Sequence, residues 1–179
     1  MLVKILGAVA AVLGALAVAI ALQPSSYTVA RKQTIAAPQA DVFAMINDFH
    51  KWEAWSPWAK LDPKMKTTYE GAAAGNGAVY KWVGDSKVGE GVMTVTESQP
   101  NERVKIKLDF LAPFASSSMT EFTVKPDGDK VTVEWSMAGN SDFMSKAYSL
   151  FAGGMDKAIG PDFEKGLAQM KAAAEGAKK

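Results

Sequence analysis

The 179-residue chain has no cysteine and one histidine, His50. Without thiols there are no disulfides, thiolate nucleophiles, iron–sulfur clusters or Cys-ligated zinc sites. With one imidazole a multi-histidine metal centre is impossible, and a histidine triad would have His50 alone to draw on. Charge of one sign is also lacking: 20 Lys+Arg against 19 Asp+Glu leave a net charge of +1. So balanced a chain has no field for holding phosphate backbones, and no nucleic-acid partner is expected. The chain carries no G-x-S-x-G elbow, no Gly-rich phosphate loop opening a helix and no H-E-x-x-H pair. Neither metal nor cofactor is expected.

What is present begins with an apolar run. Ile5 to Leu22 contains nothing polar or charged, and Gln23-Pro24 ends it. At about 1.5 Å per residue this run matches the bilayer core of about 30 Å. It is apolar on every side, unlike a surface helix. Residues 1–22 therefore read as a transmembrane anchor or a signal peptide. Ala17-Val18-Ala19 and Ala19-Ile20-Ala21 fit a small-x-small cleavage site, but both lie inside the run with no polar stretch before them, which favours the anchor. Lys4 is the one charge ahead of the span. Held inside, it puts the C-terminal domain outside the cytoplasm, as a single-pass membrane protein.

A short linker, 23–26, leads to a domain over 27–174, with 175–179 as a frayed tail. Tyr27–Ile35 is rich in β-branched residues and predicts a strand. Val42, Met45, Ile46 and Phe49 recur at helical spacing after Pro38. His50 to Trp58 then reads as a packed aromatic turn, with Trp52, Trp55 and Trp58 as a plug under the sheet. From Thr67 the period becomes two. Val104, Ile106, Leu108 and Phe110 alternate with Arg103, Lys105, Lys107 and Asp109, and Val131, Val133, Trp135 and Met137 behave likewise. Short turns between five or six such runs predict an antiparallel meander. Met155, Ile159, Phe163, Leu167 and Met170 share one face of a final helix, which Gly160-Pro161 should kink or restart. The class is α+β: a curved antiparallel sheet around a long C-terminal helix, with a hollow between them, preceded by one transmembrane helix.

Several segments carry a resemblance in order along the domain. They are Arg31…Ile35-Ala36-Ala37-Pro38…Val42-Phe43, Asp48…Trp52…Trp55-Ser56-Pro57-Trp58, Asp62-Pro63…Tyr69…Gly71 and Tyr80-Lys81-Trp82. Gly89-Glu90-Gly91-Val92-Met93-Thr94-Val95, Val131 to Met137, and Ile159-Gly160…Asp162-Phe163-Glu164…Gly166-Leu167 follow. Together they resemble the START/pollen-allergen-like superfamily, in its SRPBCC or polyketide cyclase/dehydrase-like branch. The resemblance implies a helix-grip fold with an apolar cavity between sheet and helix; many relatives also carry an N-terminal membrane span. Pro161 departs from the family's pattern.

Catalytic groups do not assemble. Ser116-Ser117-Ser118 reads as a strand start, His50 as a helix-end or exposed residue, and Asp109 and Glu134 fall on the polar parity of their strands. Methionine is plentiful, 9 in all, and Met93, Met119, Met137, Met155 and Met170 lie within predicted elements. Flexible thioethers suit a pocket for ligands of variable shape. Tyr80, Trp82, Met93, Phe110, Trp135 and Met137 take the inward parity, with Phe163 from the covering helix, as candidate cavity-lining residues or as plain core. The expected function is a membrane-tethered binding domain for a hydrophobic small molecule or lipid, its membrane partner reached through residues 5–22. The alternatives are a cyclase/dehydrase-like enzyme on an apolar ligand and a chaperone-partner-like interaction domain.

Overall fold

A computed structural model describes residues 1–177. Helix α1, Leu2–Ala21, comes first and is long and apolar enough to cross a membrane. Strand β1 is Ser26–Ile35, and helix α2, Gln39–Asn47, starts directly after Pro38. A 3-10 turn, Phe49–Ala54, follows, capped by the Asp48 carboxylate on the His50 N–H. Strands β2 Lys66–Gly71, β3 Ala78–Val83, β4 Glu90–Gln99, β5 Arg103–Ala112, β6 Ser116–Asp127 and β7 Lys130–Asn140 form the meander. Helices α3, Phe143–Ala152, and α4, Met155–Gly176, complete the fold.

The seven strands make one curved, open, wholly antiparallel sheet in the order β1-β7-β6-β5-β4-β3-β2. Its inner face is the apolar parity read from the sequence: Val104, Ile106 and Leu108 on β5, and Val131, Val133, Trp135 and Met137 on β7, are buried. Outward residues pair their charges, as Lys107 with Asp109 and Lys32 with Glu134. Met119 takes the outward side of β6 and is exposed.

Helix α4 packs mainly along β1 and touches β7. Phe163, Leu167, Met170 and Ala174 form its buried face. The ring of Phe163 stacks flat on Trp135, centroids 4.1 Å apart and planes 5° apart. Trp55 and Trp58 meet Trp135 edge-on, each at 5.7 Å. The tryptophan turn is therefore the expected plug, its Trp52 and Trp55 indoles donating to the Ile46 and Met45 carbonyls. Polar ties fix the helix to edge strand β1. Arg31 Nη1 reaches Asp156 at 2.7 Å and Nε reaches Glu164 at 2.6 Å, while Glu175 accepts the Ala36 N–H at 2.8 Å.

Two features differ from the sequence reading. Helix α4 does not restart at Pro161, which is exposed, but continues to Gly176, and the Glu175 tie to the Ala36 N–H holds the last turn past the expected fraying point. The final two residues of the expected tail, 178–179, lie outside the described residues. The chain breaks earlier, at Gly153-Gly154, where φ is 77° and 115°. That break sets off α3, which the alternating and helical patterns had left without an assignment.

Gly166 sits where α4 meets the plug. A Cβ there would lie 2.8 Å from Trp135 Cζ3 and 3.0 Å from Pro57 Cδ. Alanine is the better helix former by about 0.5–1 kcal/mol, but overpacking a close contact costs about 1–3 kcal/mol. Gly166→Ala should therefore lower stability by about 1–2 kcal/mol in detergent-solubilised protein, measured by denaturant unfolding. A stabilised variant would show slack around Trp135.

Candidate functional site

Antiparallel pairing lines up one row of residues across the whole inner face. Tyr69, Tyr80, Met93, Leu108, Ser118, Gly139 and Tyr27 are successive cross-strand partners from β2 to β1. The row is apolar and aromatic over β3 to β5 and hydroxyl-bearing over β6 and β1. Tyr27 can cross β7 because Gly139 has no side chain: a Cβ there would lie 2.9 Å from the Tyr27 hydroxyl and 3.1 Å from Ser118 Cβ. That hydroxyl donates to Met137 Sδ at 3.8 Å.

The seven candidate residues divide in two. Trp135 and Phe163 are fully buried against each other, so that end of the space between sheet and helix is packed rather than hollow. Tyr80, Met93 and Phe110 are only partly buried and border the core. Trp82 lies beneath them, its indole donating to the Val88 carbonyl at 3.0 Å, and Met137 is buried beside Tyr27. The Trp82 ring covers Gly91, where a Cβ would stand 2.3 Å from Cη2, so it forms a fixed floor. Helix α4 makes its main contacts with β1 and lesser ones with α3, α2, β7 and the 3-10 turn, rather than with β3 to β5.

Rings connect the two halves. His50 stacks on Tyr69 at 4.1 Å, Tyr69 meets Tyr80 at 5.4 Å, Tyr80 meets Trp82 at 6.0 Å and Trp82 meets Phe110 at 5.5 Å. Phe49 bridges from Tyr80 to Trp52 and so to the plug. His50 also contacts Asp48 Oδ1 at 2.9 Å, the helix-end role expected of it.

Sequence patterning passed over Tyr27, Tyr69, Ser118 and Thr120. Tyr27 and Tyr69 are on the inward parity of their strands, which could have flagged them. The hydroxyls carry no hydrophobic signal. Thr120 Oγ1 and Trp135 Nε1 are buried without a hydrogen-bond partner. An orphaned polar atom in an apolar wall costs about 1–3 kcal/mol. Burial pushes the Tyr27 hydroxyl pKa up, against a smaller opposing pull from Ser118. It therefore stays a neutral donor at ordinary pH and is no base. Elsewhere an open surface cleft of about 600 Å³ is lined by Asp62, Lys64, Lys66, Val83 and Asp85. The Asp62 carboxylate there is occupied by the Lys64 and Asp85 N–H groups, holding two turns together.

Comparison with known proteins agrees with this geometry. Residues 26–175 match the family of polyketide cyclase / dehydrase and lipid transport proteins. Among solved structures, a Chromobacterium violaceum protein superposes with a TM-score of 0.60 at 16% identity, covering 83% of this chain and 96% of its own. A Nitrosospira multiformis protein gives 0.58 at 19% identity, covering 86% and 100%. Ara h 8.0201 gives 0.56 at 12% identity, covering 84% and 99%. At these identities the likeness is one of fold. No curated protein matches the chain by sequence. The chain belongs to the polyketide cyclase / dehydrase and lipid transport family.

Tyr80 gives a direct handle on the row. Burial, with a lesser push from Tyr69, raises its pKa to about 12, against an ordinary value of about 10. The fold thus prefers the neutral phenol. Its contribution to stability is complete below about pH 10 and is lost as pH rises through about 12. In a phenolate absorbance titration, Tyr80→Phe should remove a component titrating near 12. An unchanged high-pH limb would place Tyr80 in water.

Proposed function

We propose that the protein binds a hydrophobic small molecule or lipid along the inner face of its sheet, and does so tethered to a membrane by α1. The observation that carries this reading is the cross-strand row itself. Its Tyr80–Met93–Leu108 stretch is apolar and flanked by Phe110, and its Ser118–Tyr27 end carries hydroxyls. That sequence of surfaces matches an amphiphile with an apolar body and one polar end. Family membership supports the reading, since the family's description includes lipid transport.

The reach of the linker sets how close the domain would sit to the membrane. Four residues, Leu22 to Ser25, separate α1 from β1, and four extended residues span about 14 Å at most. With α1 in a bilayer, the domain stays against the headgroups; Lys4 inside puts it on the extracytoplasmic side. A lipid gains about 0.8 kcal/mol per CH₂ on leaving water for an apolar surface. It gains nothing of that kind on leaving a bilayer, so the tethered domain samples or presents its ligand rather than storing it.

Native mass spectrometry of the full chain released from detergent micelles in the presence of fatty acid tests this. Wild type should carry a bound acyl ligand. Met93→Glu puts a charge into the apolar stretch at a half-exposed position and should weaken binding about tenfold or more. Met119→Glu, on the exposed outer face, should leave binding unchanged. No adduct, or equal loss in both variants, would remove the site from the inner face.

A further inference from the structure

Helix α3 is built inside out for a helix on a soluble domain. At about 100° per residue, Phe143, Ala147, Phe151, Met144 and Tyr148 fall within an arc of about 140°. The four large residues of that arc face outward, with Phe151 75% and Tyr148 57% exposed. The residue turned inward is Ser149, 8% exposed. A helix that hides its serine and shows its aromatics has a partner other than its own domain.

Its position identifies the partner. The helix packs against α1, whose Leu16, Ala19 and Ile20 are the residues that lose exposure along the apolar run. Lys146 Nζ donates to the carbonyl of Ala21, the last residue of α1, at 3.2 Å, and the Ser141 N–H donates to the Ser25 carbonyl at 2.9 Å. From Leu16 to Leu22 the axial rise is about 9 Å. Amphipathic helices that lie in a membrane surface are buried about 5–10 Å into the headgroup–acyl boundary. Register adds a second contact at the same end of the sheet. Ser26 pairs with Asn140, Ser118 with Gly139 and Phe110 with Ser116, so the β5–β6 connection lies at the end where α1 enters. Phe114 in that connection, and Leu111 beside it, are also exposed.

We propose that α3 is an interfacial helix whose Phe143, Met144, Tyr148 and Phe151 face lies in the headgroup–acyl boundary of the bilayer that α1 crosses, with Phe114 as a second point of insertion. The proposal rests on the reading of α1 as a membrane span. It orients the domain: the hydroxyl-bearing end of the row, at Ser118 and Tyr27, is held next to lipid, and the β6–β7 turn points away.

The absence of cysteine makes the test clean. Single cysteines replace Tyr148, Phe151, Val12 and Asp129 in turn, each carrying an environment-sensitive fluorophore, in full chain reconstituted into phosphatidylcholine vesicles. Lipids with a quencher on the acyl chain are then added. The Tyr148→Cys and Phe151→Cys labels should lose most of their emission, as should Val12→Cys inside the span, while Asp129→Cys in the β6–β7 turn keeps its own. Quenching at Val12 without quenching at Tyr148 and Phe151 would overturn the proposal and leave the span intact. No quenching at Val12 would take down both. Labels at Tyr148 and Phe151 that escape lipid quencher but self-quench between molecules would assign the face to a second copy and overturn the proposal.

Discussion

The stack of Trp135 on Phe163 pins the sheet to its long helix. It joins the middle of β7 to the middle of α4 with rings 4.1 Å apart and nearly parallel. Trp55, Trp58 and Phe122 close around the same indole, Phe122 stacked at 4.9 Å. Gly166 and Pro57 leave just enough room for it. A ring set of this size dominates the apolar burial of a small domain. Wherever it is placed, helix and sheet are joined there and diverge elsewhere.

That placement divides the inner face of the sheet. The stack holds α4 over β1 and β7, and the tryptophan turn covers the centre of the sheet. The remaining inner face, over β3 to β5, is lined by Tyr80, Met93 and Phe110, which are neither buried nor free. Trp82 is buried beneath them, while Met93 keeps three rotatable bonds. The domain thus has a tightly packed half around Trp135 and a more open half over β3 to β5, joined through Phe49.

Much of this was legible in the sequence because burial on one side of a strand writes itself as a period of two. Val104 to Phe110 and Val131 to Met137 announced their inner faces, and Trp-x-x-Trp-x-x-Trp around Pro57 announced a packed turn. The ordered segments from Arg31 to Leu167 pointed to the helix-grip arrangement. Parity could not separate the seven candidates into packed and open, since Trp135 and Tyr80 share a face and differ only in what covers them. Pro161 pointed to a kink or a restart, and sequence alone does not show that the helix continues past it, its ring facing solvent. Helix α3 escaped for a related reason: Phe143, Tyr148 and Phe151 form an apolar arc that no other element of the domain buries. The hydroxyls of Tyr27, Ser118 and Thr120 became a group only when seven strands were placed in register.

Occupation of the inner face over β3 to β5 by an amphiphile can be read directly from where that amphiphile crosslinks. A fatty acid bearing a photoreactive diazirine on its chain would be incorporated into vesicles holding the full-length protein, irradiated, and the adducts mapped by peptide mass spectrometry. Adducts are expected on Tyr80, Met93 and Phe110 in addition to those on the apolar helix α1. Adducts confined to α1 and α3, with β3 to β5 unlabelled, would rule out binding on the inner face.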